Sequence, residues 1–140
     1  PHQLDLLLLF FGSPEAMQGF SARRDPKGSG EDCVSGQIRF PNDVFFQGCW
    51  DFDAQDGKIE DRCAIECDHG VLRFSFFRSQ DLEIEGPNGL QTLTFNPPEH
   101  IQQPFIEKVN TCFRGEGGNP CSAETGLAVM EMIDALVART

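Results

Sequence analysis

Three different spacings of apolar positions follow one another along this chain, and each predicts a different element. Leu4 and then Leu6 to Phe11 are apolar, interrupted only by Asp5. A helix made of such residues is apolar on nearly every face and seeks burial all round. It stands at the very start of the sequence, where chains are more often polar and frayed. Gly12-Ser13-Pro14 ends it, glycine by taking the left-handed conformation and proline by forbidding continuation. The spacing then drops to two. Ala16 to Arg24 reads as a strand, followed by the loop Asp25-Pro26-Lys27-Gly28-Ser29-Gly30. From Cys33 to Phe40, Val34, Ile38 and Phe40 share one face, and Ser35, Gln37 and Arg39 the other. After the Pro41-Asn42-Asp43 turn, Val44, Phe46, Trp50 and Phe52 align within Val44 to Phe52.

Lys58 to Asp68 alternates again, with Ile59, Cys63, Ile65 and Cys67 opposed to Glu60, Arg62 and Glu66. A hairpin at His69-Gly70 leads into Val71 to Phe77. Asp81 to Glu85 follows, and the Pro87-Asn88-Gly89 turn returns the chain through Leu90 to Phe95. Short connections make successive strands antiparallel. Beyond Asn96-Pro97-Pro98 the spacing becomes helical: Phe105, Ile106, Val109, Cys112 and Phe113, ending at Arg114-Gly115. A last helix opens near Ser122 to Thr125, with Leu127, Met130, Ile133 and Val137 as its expected buried stripe. Strands gathered apart from helices define the α+β class. The expectation is one domain over residues 1–140, an open, predominantly antiparallel sheet of about six strands with helices packed on one face.

Composition narrows the partners. Eleven Lys and Arg against 22 Asp and Glu leave a net charge of −11, which argues against nucleic acid or an anionic membrane as partner. The Leu6–Phe11 run has no basic flank for a secretory signal and is far short of the roughly 18 apolar residues that span a bilayer. The six cysteines show no dense framework, and Cys63 and Cys67 lack the short loop spacing of a structural zinc site. Free thiols in a reducing cytoplasm are the expectation. The thirteen Phe and absent Tyr assign aromatic bulk to packing. On the face opposite the helices, alternation sets Phe45, Cys49 and Phe77 beside Gln47, Arg73, Ser75, Thr92 and Thr94. Grouped aromatic residues on an open sheet predict a contact with a second copy, a dimer or higher.

Reaction chemistry is sparse. Gly115-Glu116-Gly117-Gly118 follows a helix instead of a strand and contains an acid, so it is no phosphate loop. No Ser elbow or HExxH sequence occurs. His69 reads as a turn residue and His100 as a solvated group before a helix. The acids Asp51, Asp53 and Asp56, and Asp81, Glu83 and Glu85, read as charged sheet surface, and no metal site is predicted.

Two stretches carry a family resemblance. Pro1-His2-Gln3-Leu4-Asp5-Leu6-Leu7, followed by Gly12, is similar to the segment of the Gfo/Idh/MocA oxidoreductases in which His opens a helix containing His-x-x-Asp. His100-Ile101-Gln102-Gln103-Pro104, Arg114-Gly115 and Asn119-Pro120-Cys121-Ser122-Ala123-Glu124-Thr125-Gly126 resemble that family's closing pair of helices. The strands and the Glu85–Gly89 turn agree in order. The resemblance covers nearly the whole chain as a C-terminal domain. It implies a parent enzyme that transfers hydride between a sugar-like alcohol and NAD or NADP, held by an N-terminal Rossmann domain. The glycine fingerprint and the Glu-Lys-Pro lysine of that domain do not occur in this sequence. The implied role of this chain is therefore substrate-side and oligomerising, without activity or nucleotide binding of its own. His2 is the one catalytic residue the resemblance carries over, positioning substrate or transferring a proton, and Asp5 is assigned to helix orientation. The alternative is a stand-alone, non-catalytic binding or structural domain.

Overall fold

In the computed structural model, residues 1–55 and 58–137 are described. Ten elements follow in order: α1 (His2–Phe11), β1 (Ala16–Ala22), β2 (Cys33–Phe40), β3 (Val44–Asp51), β4 (Cys63–Cys67), β5 (Gly70–Phe74), β6 (Asp81–Gly86), β7 (Gly89–Thr94), α2 (Gln103–Phe113) and α3 (Ala123–Val137). The class is α+β. All strand pairs are antiparallel, in two open sheets ordered β1-β2-β3 and β4-β5-β6-β7. Contacts gather into two compact units, Pro1–Gly57 with Cys121–Thr140, and Lys58–Pro120. Among the described residues, no helix is long and apolar enough to cross a membrane.

The first unit holds the buried core. Leu4 and Leu7 from α1, Val34, Ile38 and Phe40 from β2, and Val129, Met132 and Leu136 from α3 form one cluster. Strict alternation makes β2 the central strand: even-numbered positions from Val34 to Phe40 are all buried, and Ser35, Gln37 and Arg39 are exposed. Register places Gly19, Gly36 and Gly48 side by side across all three strands, on the buried face. Three missing side chains leave a trough, and the end of α3 occupies it. A Cβ on Gly19 would lie 2.1 Å from the Leu136 carbonyl oxygen, and one on Gly36 would lie 2.3 Å from Leu136 Cδ2. The Ser21 hydroxyl donates to the Val137 carbonyl at 2.9 Å, satisfying one of the acceptors a helix leaves unpaired at its C-terminus. Over Gly48 the trough is filled by its own strand, where the Phe46 and Trp50 rings lean together with centroids 6.1 Å apart.

This seat corrects the expected stripe on α3. Val129, Met132 and Leu136 are buried, and Ile133 and Val137 are half-buried; Leu127 is 60% and Met130 52% exposed. Phe52, expected on the buried face, lies beyond the end of β3 and is exposed. On α1, Leu8 and Phe11 pack against the core, with Phe11 tilted over Phe40 at 5.5 Å between centroids. Leu9 and Phe10 face outward, so burial covers only part of this helix.

The second unit contains no fully buried residue. Ile65, Leu72 and Ile84 stand in one cross-strand row, each half-buried. β4 and β5 are shorter than the Lys58–Asp68 and Val71–Phe77 runs that alternation predicts, and Asp61 explains both ends. Its carboxylate accepts the Ser75 hydroxyl at 2.6 Å and the Phe77 and Phe76 amides at 2.6 and 3.2 Å. These bonds turn the chain away where a ladder would otherwise continue. Burial alone would raise the Asp61 pKa, but the donors from Ser75, Phe77 and Phe76 outweigh it and hold the carboxyl below its ordinary value. Helix α2 buries no residue, and Ile101, Phe105, Ile106 and Phe113 are exposed.

Candidate functional site

His2 is the first residue of α1 and is exposed. Its place is fixed from within the helix: Leu4 and Leu7 anchor the buried side, and the Asp5 amide donates to the Pro1 carbonyl at 2.9 Å, closing the first turn. Asp5, three residues on, shares the exposed surface of that turn with His2. The arrangement presents an exposed imidazole at the start of α1. His69 occupies the β4–β5 turn. His100 precedes α2, where its carbonyl accepts the Gln103 amide at 2.9 Å. Both belong to the second unit, and α1 to the first.

The tightest polar arrangement escaped sequence reasoning. Arg24 reaches the ends of two strands of the first sheet at once. Its guanidinium forks onto both oxygens of Asp51, one of the two bonds being 3.1 Å, and its Nε donates to Asp32 at 3.2 Å. The other Asp32 oxygen accepts the Arg24 and Asp25 amides at 2.8 and 2.7 Å. Amide donors, Asp25 first, pull the Asp32 pKa below its usual range; the guanidinium does so for Asp51, and the two acids raise that of Arg24. Every oxygen in this clasp is occupied by the chain's own donors. It closes the loop between β1 and β2, and its acids are committed to structure, Asp51 of the expected acidic cluster included. Asp53 is exposed, and Asp56 of that cluster lies outside the described residues.

The other acidic row lies along β6. Asp81 accepts the Thr94 hydroxyl at 2.6 Å, and Glu85 pairs with Arg73 at 2.7 Å. A hollow of about 410 Å³ lies here, lined by Asp61, Arg73, Ser75, Ser79, Asp81 and Glu83. Among the described residues, no group of three or more His, Cys, Asp or Glu is placed to hold a metal ion. No disulfide joins Cys33, Cys49, Cys63, Cys67 or Cys112.

Comparison with known proteins bears out the family resemblance. The GFO/IDH/MocA C-terminal domain model matches residues 1–73, a stretch that begins with α1 and runs into β5. The chain belongs to this family. Oxidoreductase P35 of Formosa agariphila is 36% identical over 134 residues, which cover 96% of this chain and 40% of that protein. Two solved structures share the fold. One is an oxidoreductase from Agrobacterium radiobacter in complex with NAD+, L-tartaric acid and magnesium, at a TM-score of 0.77 and 20% identity; it matches 96% of this chain and 43% of its own. The other is the aldose-aldose oxidoreductase from Caulobacter crescentus complexed with glycerol, at a TM-score of 0.78 and 15% identity, matching 96% of this chain and 42% of its own. The chain thus spans less than half the length of these relatives.

Proposed function

We propose that this GFO/IDH/MocA C-terminal domain is the substrate-side and assembly part of an NAD(P)-dependent oxidoreductase acting on a sugar-like alcohol. The observation that carries the reading is the family match across residues 1–73, which takes in the helix that begins at His2. The hydroxylated ligands of the two solved relatives, L-tartaric acid and glycerol, support a polyol class of substrate. In this reading NAD or NADP supplies hydride acceptance and is held by a Rossmann partner domain. Pyrophosphate recognition needs a glycine turn leading from a strand into a helix N-terminus, and no such motif occurs in this sequence. His2 positions the substrate hydroxyl or takes its proton, on a helix that Leu4 and Leu7 anchor to the core. A cytoplasmic location accords with the unbridged thiols.

The test uses the enzyme that contains this domain, assayed with both nucleotides against a panel of sugars and polyols. His2→Asn is expected to lower turnover by roughly 10²-fold or more, the scale of general acid-base assistance. Unchanged turnover would remove His2 from the site. A second arm titrates this chain alone with NAD+ and NADP+ in a calorimeter. No heat of binding is expected, and micromolar affinity would contradict the division of labour.

A further inference from the structure

We propose that Asn88 is a site of spontaneous deamidation, at which the β6–β7 turn is converted to an aspartyl or isoaspartyl form. The connection is two residues long, Pro87-Asn88, between the paired residues Gly86 and Gly89. Gly89 has φ +99°, a conformation that favours glycine, and a Cβ placed there would have no neighbour within 4 Å. Asn88 itself is exposed and makes no ladder pair.

The chemistry needs an asparagine side chain within reach of the next backbone nitrogen, and a next residue with no side chain to hinder the approach. The deprotonated Gly89 nitrogen attacks Cγ of Asn88. A nitrogen–Cγ bond forms, the Cγ–Nδ2 bond breaks, and ammonia leaves with the proton. Water then opens the five-membered succinimide at either carbonyl, giving aspartate or isoaspartate with no change of oxidation state. The chain supplies its own controls. Of its asparagines, Asn96 and Asn119 precede proline, whose nitrogen carries no proton to lose. Asn110 lies inside α2, and Asn42 precedes Asp43, which has a side chain. Only Asn88 precedes glycine.

The product differs from the starting turn in charge and, for isoaspartate, in backbone length. An added main-chain carbon in a two-residue connection opposes the register Gly86↔Gly89, Glu85↔Leu90 and Ile84↔Gln91. β7 is the edge strand of its sheet, so the disturbance falls on one ladder and leaves β4-β5-β6 paired. The purified protein is incubated at neutral and alkaline pH and followed by peptide mass mapping, with methyl transfer by a protein isoaspartyl methyltransferase as the probe for isoaspartate. The peptide containing Asn88 is expected to gain one mass unit about tenfold or more faster than those containing Asn42 or Asn110, a barrier lower by roughly 1.4 kcal/mol. The gain should quicken at alkaline pH, and Asn88→Gln should abolish it together with the methyl acceptance of that peptide; Asp56-Gly57 can form isoaspartate by the same ring closure without a mass change, so the methyl label is read peptide by peptide. Equal rates at Asn88 and Asn110, or methyl acceptance of the peptide containing residue 88 that survives in Asn88→Gln, would overturn the proposal.

Discussion

Three glycines, each unremarked when its strand is read alone, decide how the first sheet receives its helix. Gly19 and Gly36 leave room for the backbone and side chain of Leu136, and Gly48 leaves room for the rings of Phe46 and Trp50. The obstacles differ in kind. Opposite Gly19 stands the Leu136 carbonyl, which is backbone and cannot rotate aside; opposite Gly36 stands a leucine methyl, which can. Gly19→Ala is therefore expected to destabilise by more than Gly36→Ala, with overpacking costs of about 1–3 kcal/mol as the scale. Gly126 provides the opposite sign. It lies in the first turns of α3 with open space around a Cβ, so Gly126→Ala should stabilise by roughly 0.5–1 kcal/mol through helix propensity. Denaturant unfolding of the three variants checks the order. Equal effects of Gly19→Ala and Gly126→Ala would show that the trough does not exist in solution.

Among the elements, α3 shows where sequence reasoning stopped. Leu127, Met130, Ile133 and Val137 satisfy helical spacing, but so do Val129, Met132 and Leu136, because α3 is apolar at most positions from Leu127 onward. Periodicity along one helix cannot choose between two adjacent stripes. The choice is made by the row of glycines, which comes from strand register and is invisible in any single segment. Strand ends were missed for a similar reason: Asp61 meets Ser75 and the following amides across a span of sequence no local pattern reads. What alternation did make legible is the interior of each strand, β2 above all, and the sharp turns at Pro41–Asp43 and Pro87–Gly89. Of the proposed site the sequence offers only His2, and that through resemblance, whereas the Arg24 clasp needs three separated residues to meet. Met132→Ala should cost about 2–5 kcal/mol, and Leu127→Ala should stay within about 0.5 kcal/mol of the parent. Thermal and denaturant unfolding separate the two stripes. A larger cost at Leu127 would restore the stripe expected from spacing.

For the whole molecule the open question is assembly, and the two candidate surfaces of the first unit can be told apart. The exposed face of β1-β2-β3 carries Ala16, Arg39 and Phe45 in one row, Gln18, Gln37 and Gln47 in the next, and Phe20, Ser35 and Cys49 in a third. Phe45 is 73% exposed, and Phe20 is exposed at the opposite corner of the same face; Phe77, expected with them, belongs to the second unit. Glutamine amides both donate and accept, so a row of them can meet its own copy across a two-fold axis, with the phenylalanines supplying apolar area. We propose a dimer through this face. The rival is the outer side of α1, where Leu9 is 76% exposed. Phe45→Glu is expected to give a monomer by light scattering, with Leu9→Glu remaining dimeric. The reverse pattern moves the interface to α1, and a monomeric wild type at all concentrations removes the dimer. Salt gives a further check. Two copies each carrying −11 repel over the Debye length, so a dimer held by phenylalanine and amide contacts should tighten as ionic strength rises, whereas one held by salt bridges should loosen.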